Sequence, residues 1–254
     1  MQGNAQQGFV LLVVGDEIIS GKRQDKHLSH VLKTLDSHNM QLNSVHYVGD
    51  ELKALIRHLQ QSREHSLPVL CFGGIGATPD DNTRAAAAMA FSRPLQRHAE
   101  AVRLIQQQFG EEAYPKRILM ADLPTGATLI PNPVNNIPGF SVGHHFFFPG
   151  FPQMAWPMLD WVLDSRFAKC HGEKIVEKSV RVYQQRESDL INMMETLIQD
   201  HAAVKLFSLP HMGELPHIEI GFRGVQHAVE VAFTALCQFL DDREIDYEPV
   251  TARE

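Results

Sequence analysis

Cysteine is scarce in this sequence. Cys71, Cys170 and Cys237 are odd in number, widely spaced and free of any CxxC pair, which argues against a disulfide framework and against a structural zinc site. Basic runs are missing too. With a formal net charge of -7 and no Lys/Arg cluster, the chain carries no electrostatic footprint for nucleic acid or an anionic membrane. The longest useful apolar run, Phe9 to Val14, is too short for a membrane span or a leader core, and no basic segment precedes it. A cytoplasmic location is the resulting expectation. The 14 histidines form no HxH or HExxH pair, so they read as core or solvent side chains. Neither GxGxxG nor GxxxxGK[ST] occurs, and no Ser-His-Asp or Cys-His nucleophile set can be assembled. Redox and P-loop kinase readings fall away.

What is present is ample for a core: 44% hydrophobic and 21% charged residues over 254 positions, a length that favours two domains. The organising stretch runs from Val69 to Ala90, VLCFGGIGATPDDNTRAAAAMA. Val69 to Phe72 reads as a buried strand. Gly73, Gly74 and Gly76 follow, where the backbone can turn sharply and bring bare N–H groups near a ligand. Thr78 is placed to cap a helix, with Pro79 at its first position and Asp81 as capping-box partner. A glycine turn feeding a helix N-terminus is an anion site, because unpaired amides and the positive end of the helix dipole converge there. Phosphate is the usual guest. Asp80 and Asp81 would repel it unless a divalent cation bridges them or they bind a donor elsewhere on the ligand.

In chain order, Phe9 to Val14 predicts a strand buried on both faces, ending in Gly15, Asp16 and Glu17. Asp25 is placed to cap a helix through Leu28, Val31, Leu32 and Leu35. Met40 to Val48 is a second strand, and Asp50 is placed to cap a helix through Leu52, Leu55, Ile56 and Leu59. Leu67 to Phe72 is the third strand. Strand and helix alternating with short connections predicts an α/β fold with a mostly parallel sheet in three layers. Arg97 to Phe109 is helical; Leu123 to Gly150 breaks into short strands and proline turns that read either as a rigid pocket wall or as ordinary loop closure; Met154 to Leu163 is a helix. A polar stretch from Arg166 to Glu173 marks the boundary. Beyond it, Ile175–Val182, Glu187–Asp200, Ala203–Leu209, His217–Phe222 and Val225–Leu240 give a small α+β domain of βαββα order, then a loose acidic tail. The domains are thus 1–168 and 174–245, the second for interaction or scaffolding.

Asp16, Asp25, Asp50, Asp80 and Asp81 all fall at strand ends or helix starts on the carboxyl edge of one sheet, where ligands of open α/β sheets bind. Carboxylates beside a diphosphate can hold Mg²⁺ or a similar hard cation, which neutralises phosphoryl oxygens and activates water.

The stretches VGDEIISGKRQD, YVGDE, GGIGATPDDNTRAA, IPNPVNNIPGF and FFFPGFPQMAWPML resemble, in order and spacing, the N-terminal domain of the competence/damage-inducible CinA family, part of the wider MoaB/Mog molybdopterin-binding fold. The later LPHMGELPHIEI stretch resembles the small domain that follows it; on this resemblance the C-terminal deamidase domain of full-length CinA is expected to be absent, so deamidation is not implied. The resemblance implies divalent-metal-dependent (Mg²⁺ or Co²⁺) hydrolysis of ADP-ribose-like dinucleotides. It also admits a molybdopterin-binding or adenylyltransferase role, or binding of a nucleotide or pterin without catalysis. It implies a homo-oligomer, a dimer first. By motif, Asp80 and Asp81 are the catalytic candidates. Gly15, Asp16, Glu17, Asp25, Asp50, Gly73, Gly74, Gly76, Thr78, Thr83, Pro149, Gly150 and Pro152 are ligand-binding candidates, and Asp16, Asp50, Asp80 and Asp81 metal ligands. The chain departs from the family pattern at Lys26 and His27, where Thr-Asn is usual, at Ala77, where Pro is, and at Gln153 and Met154, where Ser-Glu is.

Overall fold

Seven consecutive buried residues, Gly8–Val14, make strand β1, the continuous apolar run that a strand covered on both faces requires. The computed structural model describes residues 8–168, 173–213 and 215–250. The expectations for the first seven residues and for positions 169–172 of the boundary lie outside the described residues. The chain divides into two units, Met1–Gly172 and Glu173–Glu254.

In the first unit β1 is followed by α1 (Asp16–Ile19), α2 (His27–Ser37), β2 (Gln41–Val48), α3 (Leu52–Arg63), β3 (Val69–Phe72), α4 (Thr83–Ala90), β4 (Leu95–Arg97), α5 (Ala99–Phe109), β5 (Asp122–Pro124), β6 (Thr128–Ile130), β7 (Gly139–Val142), β8 (His145–Phe148) and α6 (Pro152–Arg166). The main sheet has the order β2-β1-β3-β8-β7-β6. Its first four strands are parallel, and β7 and β6 return antiparallel.

Alternation along the strands builds two cores. Leu12, Val14, Val69 and Cys71 face Leu55, Leu59, Ala86 and Ile105 from α3, α4 and α5. Phe9, Leu11, Val13 and Phe72 face Val31 and Leu35 of α2 and Leu159 and Val162 of α6. Each such large side chain contributes roughly 1.5–3 kcal/mol by leaving water, and the result is the three-layer α/β arrangement. The sheet runs one way from β1 to β2 and the other way from β1 to β3. Loops leaving the carboxyl ends of β1 and β3 therefore diverge and open a crevice.

Four local expectations are corrected. Helix α4 begins at Thr83, not at Thr78, and its first residue follows Asn82, whose side chain makes no cap. Asp81 does not complete a capping box; its carboxylate turns back to the Gly76 and Thr78 amides. Asp50 does not cap α3 either, because its carboxylate takes the Asp16 N–H at 2.9 Å. Arg97 ends β4 and lies outside α5.

The second unit contains β9 (Ile175–Tyr183), α7 (Glu187–Asp200), β10 (Lys205–His211), β11 (His217–Val225), α8 (Gln226–Asp242) and β12 (Tyr247–Pro249). Its antiparallel sheet has the order β10-β11-β9-β12, two split β-α-β units. Val180, Val182, Ile220 and Phe222 pack on Leu190, Leu197, Leu236 and Leu240. The tail expected to be loose supplies β12, which pairs with Val180–Val182 of β9; the order is βαββαβ.

Candidate functional site

The crevice between the ends of β1 and β3 holds a cleft of about 460 Å³. Its floor is the glycine loop, and steric facts require glycine there. At Gly73 φ is +105° and an added Cβ would sit 2.3 Å from the Val14 carbonyl oxygen; at Gly74 φ is +69° and a Cβ would meet the Thr83 hydroxyl. The loop is clasped from below. Thr83, fully buried, donates its Oγ1 to the Gly73 carbonyl at 3.0 Å and its N–H to the Gly74 carbonyl at 3.0 Å. Asp81 accepts the N–H of Gly76 at 2.9 Å, the N–H of Thr78 at 2.8 Å and the Thr78 hydroxyl. The N–H groups of Gly74, Ile75 and Ala77 make no hydrogen bond among the described residues, and all three residues line the cleft.

Arg84 fastens the loop to the opposite side. Its guanidinium is buried and donates to the carbonyls of Ile75 (3.1 Å), Gly76 (2.7 Å), Leu119 (2.6 Å) and Asp122 (3.1 Å). Burial pulls its pKa below the ordinary value, and Asp122 and Asp81 oppose that pull; the group stays a cation.

The carboxylates divide by what they already hold. Asp16 Oδ1 accepts the Asp50 N–H at 3.3 Å while Asp50 Oδ2 accepts the Asp16 N–H at 2.9 Å. Asp25 accepts the N–H groups of His27 (2.8 Å) and Leu28 (3.1 Å), capping α2 as its position in the sequence implies, and also takes the Tyr47 hydroxyl at 2.9 Å. Asp50 and Asp80 line the cleft under opposite influences. Partial burial, followed by the charges of Asp16, Glu17 and Asp80, pushes the Asp50 carboxyl up against the pull of the Asp16 amide. The Thr78 hydroxyl and its own backbone amide hold the exposed Asp80 carboxyl below the usual range.

The rest of the lining is largely apolar: Phe109, Met120, Ile137, Pro138, Phe151 and Met154, with Asn132 and Asn135 among them. A second lobe of about 270 Å³ shares Val14, Glu17, Arg23, Gly150 and Phe151 with the main cleft and adds Asp25, Lys26, His27, Pro152 and Gln153. His27 stacks on Phe72 with centroids 4.5 Å apart and sits 3.2 Å from the Gly150 carbonyl. That carbonyl can only accept, so Nε2 carries a proton, and burial lowers the ring's pKa against the opposing pull of the Gly150 carbonyl and Asp25.

Of the candidates read from the sequence, Gly15, Glu17, Asp50, Gly73, Gly74, Gly76, Thr78, Asp80, Asp81, Pro149 and Gly150 line the main cleft. Asp25 and Pro152 line the second lobe. Asp16 and Thr83 line neither and act through the backbone they hold. Among the described residues no three His, Cys, Asp or Glu side chains converge as a metal-holding group. Sequence reasoning missed Arg23, Arg84, Phe109, Met120, Asn135 and Ile137. Arg23, Arg84, Asn135 and Ile137 lie inside motifs that were singled out; Phe109 and Met120 carry no local signal. No helix among the described residues is long and apolar enough to cross a membrane.

Several known proteins are similar to this chain. A CinA-like protein of Geotalea daltonii is 29% identical over 223 residues, 85% of this chain and 53% of the relative. One from Citrifermentans bemidjiense is 34% identical over 157 residues, 59% of this chain and 38% of the relative. The chain spans about half the length of the first of these curated relatives. The crystal structure of the protein CinA, of unknown function, from Thermoplasma acidophilum matches with a TM-score of 0.58 at 27% identity, covering 63% of this chain and 97% of that one. Residues 10–169 match the family model described as "Probable molybdopterin binding domain", and the chain belongs to that family.

Proposed function

We propose that the cleft takes a nucleotide diphosphate and that the protein is a divalent-metal-dependent pyrophosphatase acting on ADP-ribose-like dinucleotides. The observation that carries this reading is the meeting, in one cleft, of unbonded loop amides with two carboxylates, Asp50 and Asp80, whose surroundings push them in opposite directions. Such a split separates the roles of paired acids. The amides of Gly74, Ile75 and Ala77 bind phosphoryl oxygens. The apolar wall receives the base.

The donor set fits a cation bound together with substrate. Mg²⁺ commonly takes one or two carboxylates and fills its remaining positions with phosphoryl oxygens and water. Asp80, exposed and held ionised, suits that role; Asp16 and Asp81 are engaged by backbone amides. When bound, the cation neutralises phosphoryl charge and acidifies water. Asp50 has its Oδ1 without a partner among the described residues and takes the proton of the attacking water. The water oxygen bonds to one phosphorus, the bridging P–O bond breaks, and ADP-ribose yields AMP and ribose 5-phosphate.

Pure protein incubated with ADP-ribose, FAD or NADH, each with Mg²⁺, Co²⁺ or chelator, tests this by chromatography. Metal-dependent AMP release that disappears in Asp80→Asn is the expected result. Silence across the panel from folded protein overturns it. The match over residues 10–169 favours a second reading, a pterin phosphate in the same cleft, bound or adenylylated; transfer of AMP to a pterin phosphate in place of water would establish that one.

A further inference from the structure

The polar groups set into the apolar wall have an orientation that backbone amides dictate. The Val134 N–H donates to one atom of the Asn132 carboxamide at 3.0 Å, and because an N–H cannot accept, that atom is oxygen. The other atom of Asn132 is therefore its nitrogen, which donates to the Ile137 carbonyl at 3.0 Å and to the Asn135 side chain at 2.7 Å. The Ile137 N–H donates to the same Asn135 atom at 3.1 Å. Two donors converge there, so it is the oxygen of Asn135. Its amide nitrogen is then turned away from the turn as a pure donor.

That nitrogen has poor company. Its one acceptor among the described residues is the Met154 sulfur at 2.9 Å, and a thioether accepts weakly. Asn132 is buried and the loop is braced by the Asn136 N–H on the Asn132 carbonyl at 3.1 Å, so the donor is held in place. Ile137, Pro138, Phe151, Met154, Phe109 and Met120 line the same cleft and give it apolar surface. A site built to donate a hydrogen bond within an apolar wall rejects ligands that cannot accept it, since the donor would lose water and gain nothing.

We propose that Asn135 is a specificity-determining residue that reads a ring-nitrogen acceptor on a purine base lying against this wall. The inference rests on reading the cleft as a nucleotide site. It assigns base recognition to the turn between β6 and β7, while phosphate is held by the glycine loop.

The test is binding by calorimetry, without turnover, so that it fails or succeeds apart from hydrolysis. AMP, ribose 5-phosphate and the 1-deaza, 3-deaza and 7-deaza analogues of AMP are titrated into the full protein and into Asn135→Asp. Aspartate keeps an oxygen for Asn132 and Ile137 and replaces the outward donor by an acceptor, so the turn stays folded. The expected result is about tenfold weaker AMP binding in the variant with ribose 5-phosphate unaffected. One of the three deaza analogues should show the same loss in the wild-type protein and no further loss in the variant. Equal weakening of AMP and ribose 5-phosphate, or deaza analogues that all bind like AMP, would overturn the proposal. So would a wild-type protein that binds a pterin phosphate and ignores AMP.

Discussion

The two walls of the cleft are built on opposite plans. The loop wall, from Gly73 to Asp81, is polar and over-determined: Thr83, Asp81 and Arg84 all spend their polar atoms holding its backbone. The facing wall draws Phe109, Met120 and Ile137 from segments far apart in the chain and presents mostly carbon. The difference teaches that an acidic side chain near a ligand loop is a chemical group only if the loop has not already claimed it. Asp80 and Asp81 are neighbours with opposite fates. Asp81 is bonded to three loop donors, and Asp80 stands in the cleft under the influence of Thr78 and its own amide alone.

Substitutions can break this contrast in graded steps. Arg84→Met strips a cation from four carbonyls and leaves them unpaired in a buried place; a loss of about 3 kcal/mol in denaturant unfolding is expected. Asp81→Ala removes an acceptor shared by three donors at a partly exposed site, and about 2 kcal/mol should go with it. Activity would fall in that variant through loss of loop shape, so its KM for a diphosphate should rise together with its drop in stability.

Asp50→Asn sharpens the point through pH. The Asp50 carboxyl is pushed up in the folded protein, so its charged form is a cost to folding that is present above the folded pKa. That cost declines as pH falls through it, and is gone below the unfolded value. Asparagine keeps an oxygen for the Asp16 amide. The variant should therefore be slightly more stable than wild type near pH 7, by no more than about 0.5 kcal/mol because the group is only partly buried and solvent screens it, with the gain vanishing in acid. Unfolding midpoints measured from pH 3 to pH 8 would reveal a gain of the wrong sign or one indifferent to pH. Asp80→Asn should have the smallest stability effect of the set, and the largest effect on AMP release.

Much of the fold was legible because its signals are periodic or local. The buried run Phe9 to Val14, the Asp25 cap and the glycine triplet each depend on residues within a few positions of one another. The Thr78 to Asp81 reading failed for an instructive reason. An acid three residues after a threonine can bond forward to a helix start or backward to the preceding loop, and the spacing is the same; the Gly76 amide, freed by the sharp turn, decided it. Asp50 was claimed likewise by the start of α1 and not by α3. The apolar wall was hidden because Phe109 and Met120 follow ordinary helical spacing and meet Ile137 only when the chain closes. The strand β12 was hidden by its brevity; three residues in an acidic tail show no alternation.

The guanidinium of Arg84 reaches Ile75 and Gly76 on one side and Leu119 and Asp122 on the other, so it acts as a fixed spacer between the floor of the loop and the segment bearing Met120. The gap a ligand must enter is set before the ligand arrives. Binding then requires little rearrangement of either wall, and affinity is gained by what fits the gap rather than by closure around it. Ligands of differing ring thickness should differ in how fast they leave more than in how fast they enter. A lysine at this position, with one ammonium in place of a planar fork, could not hold both sides at once.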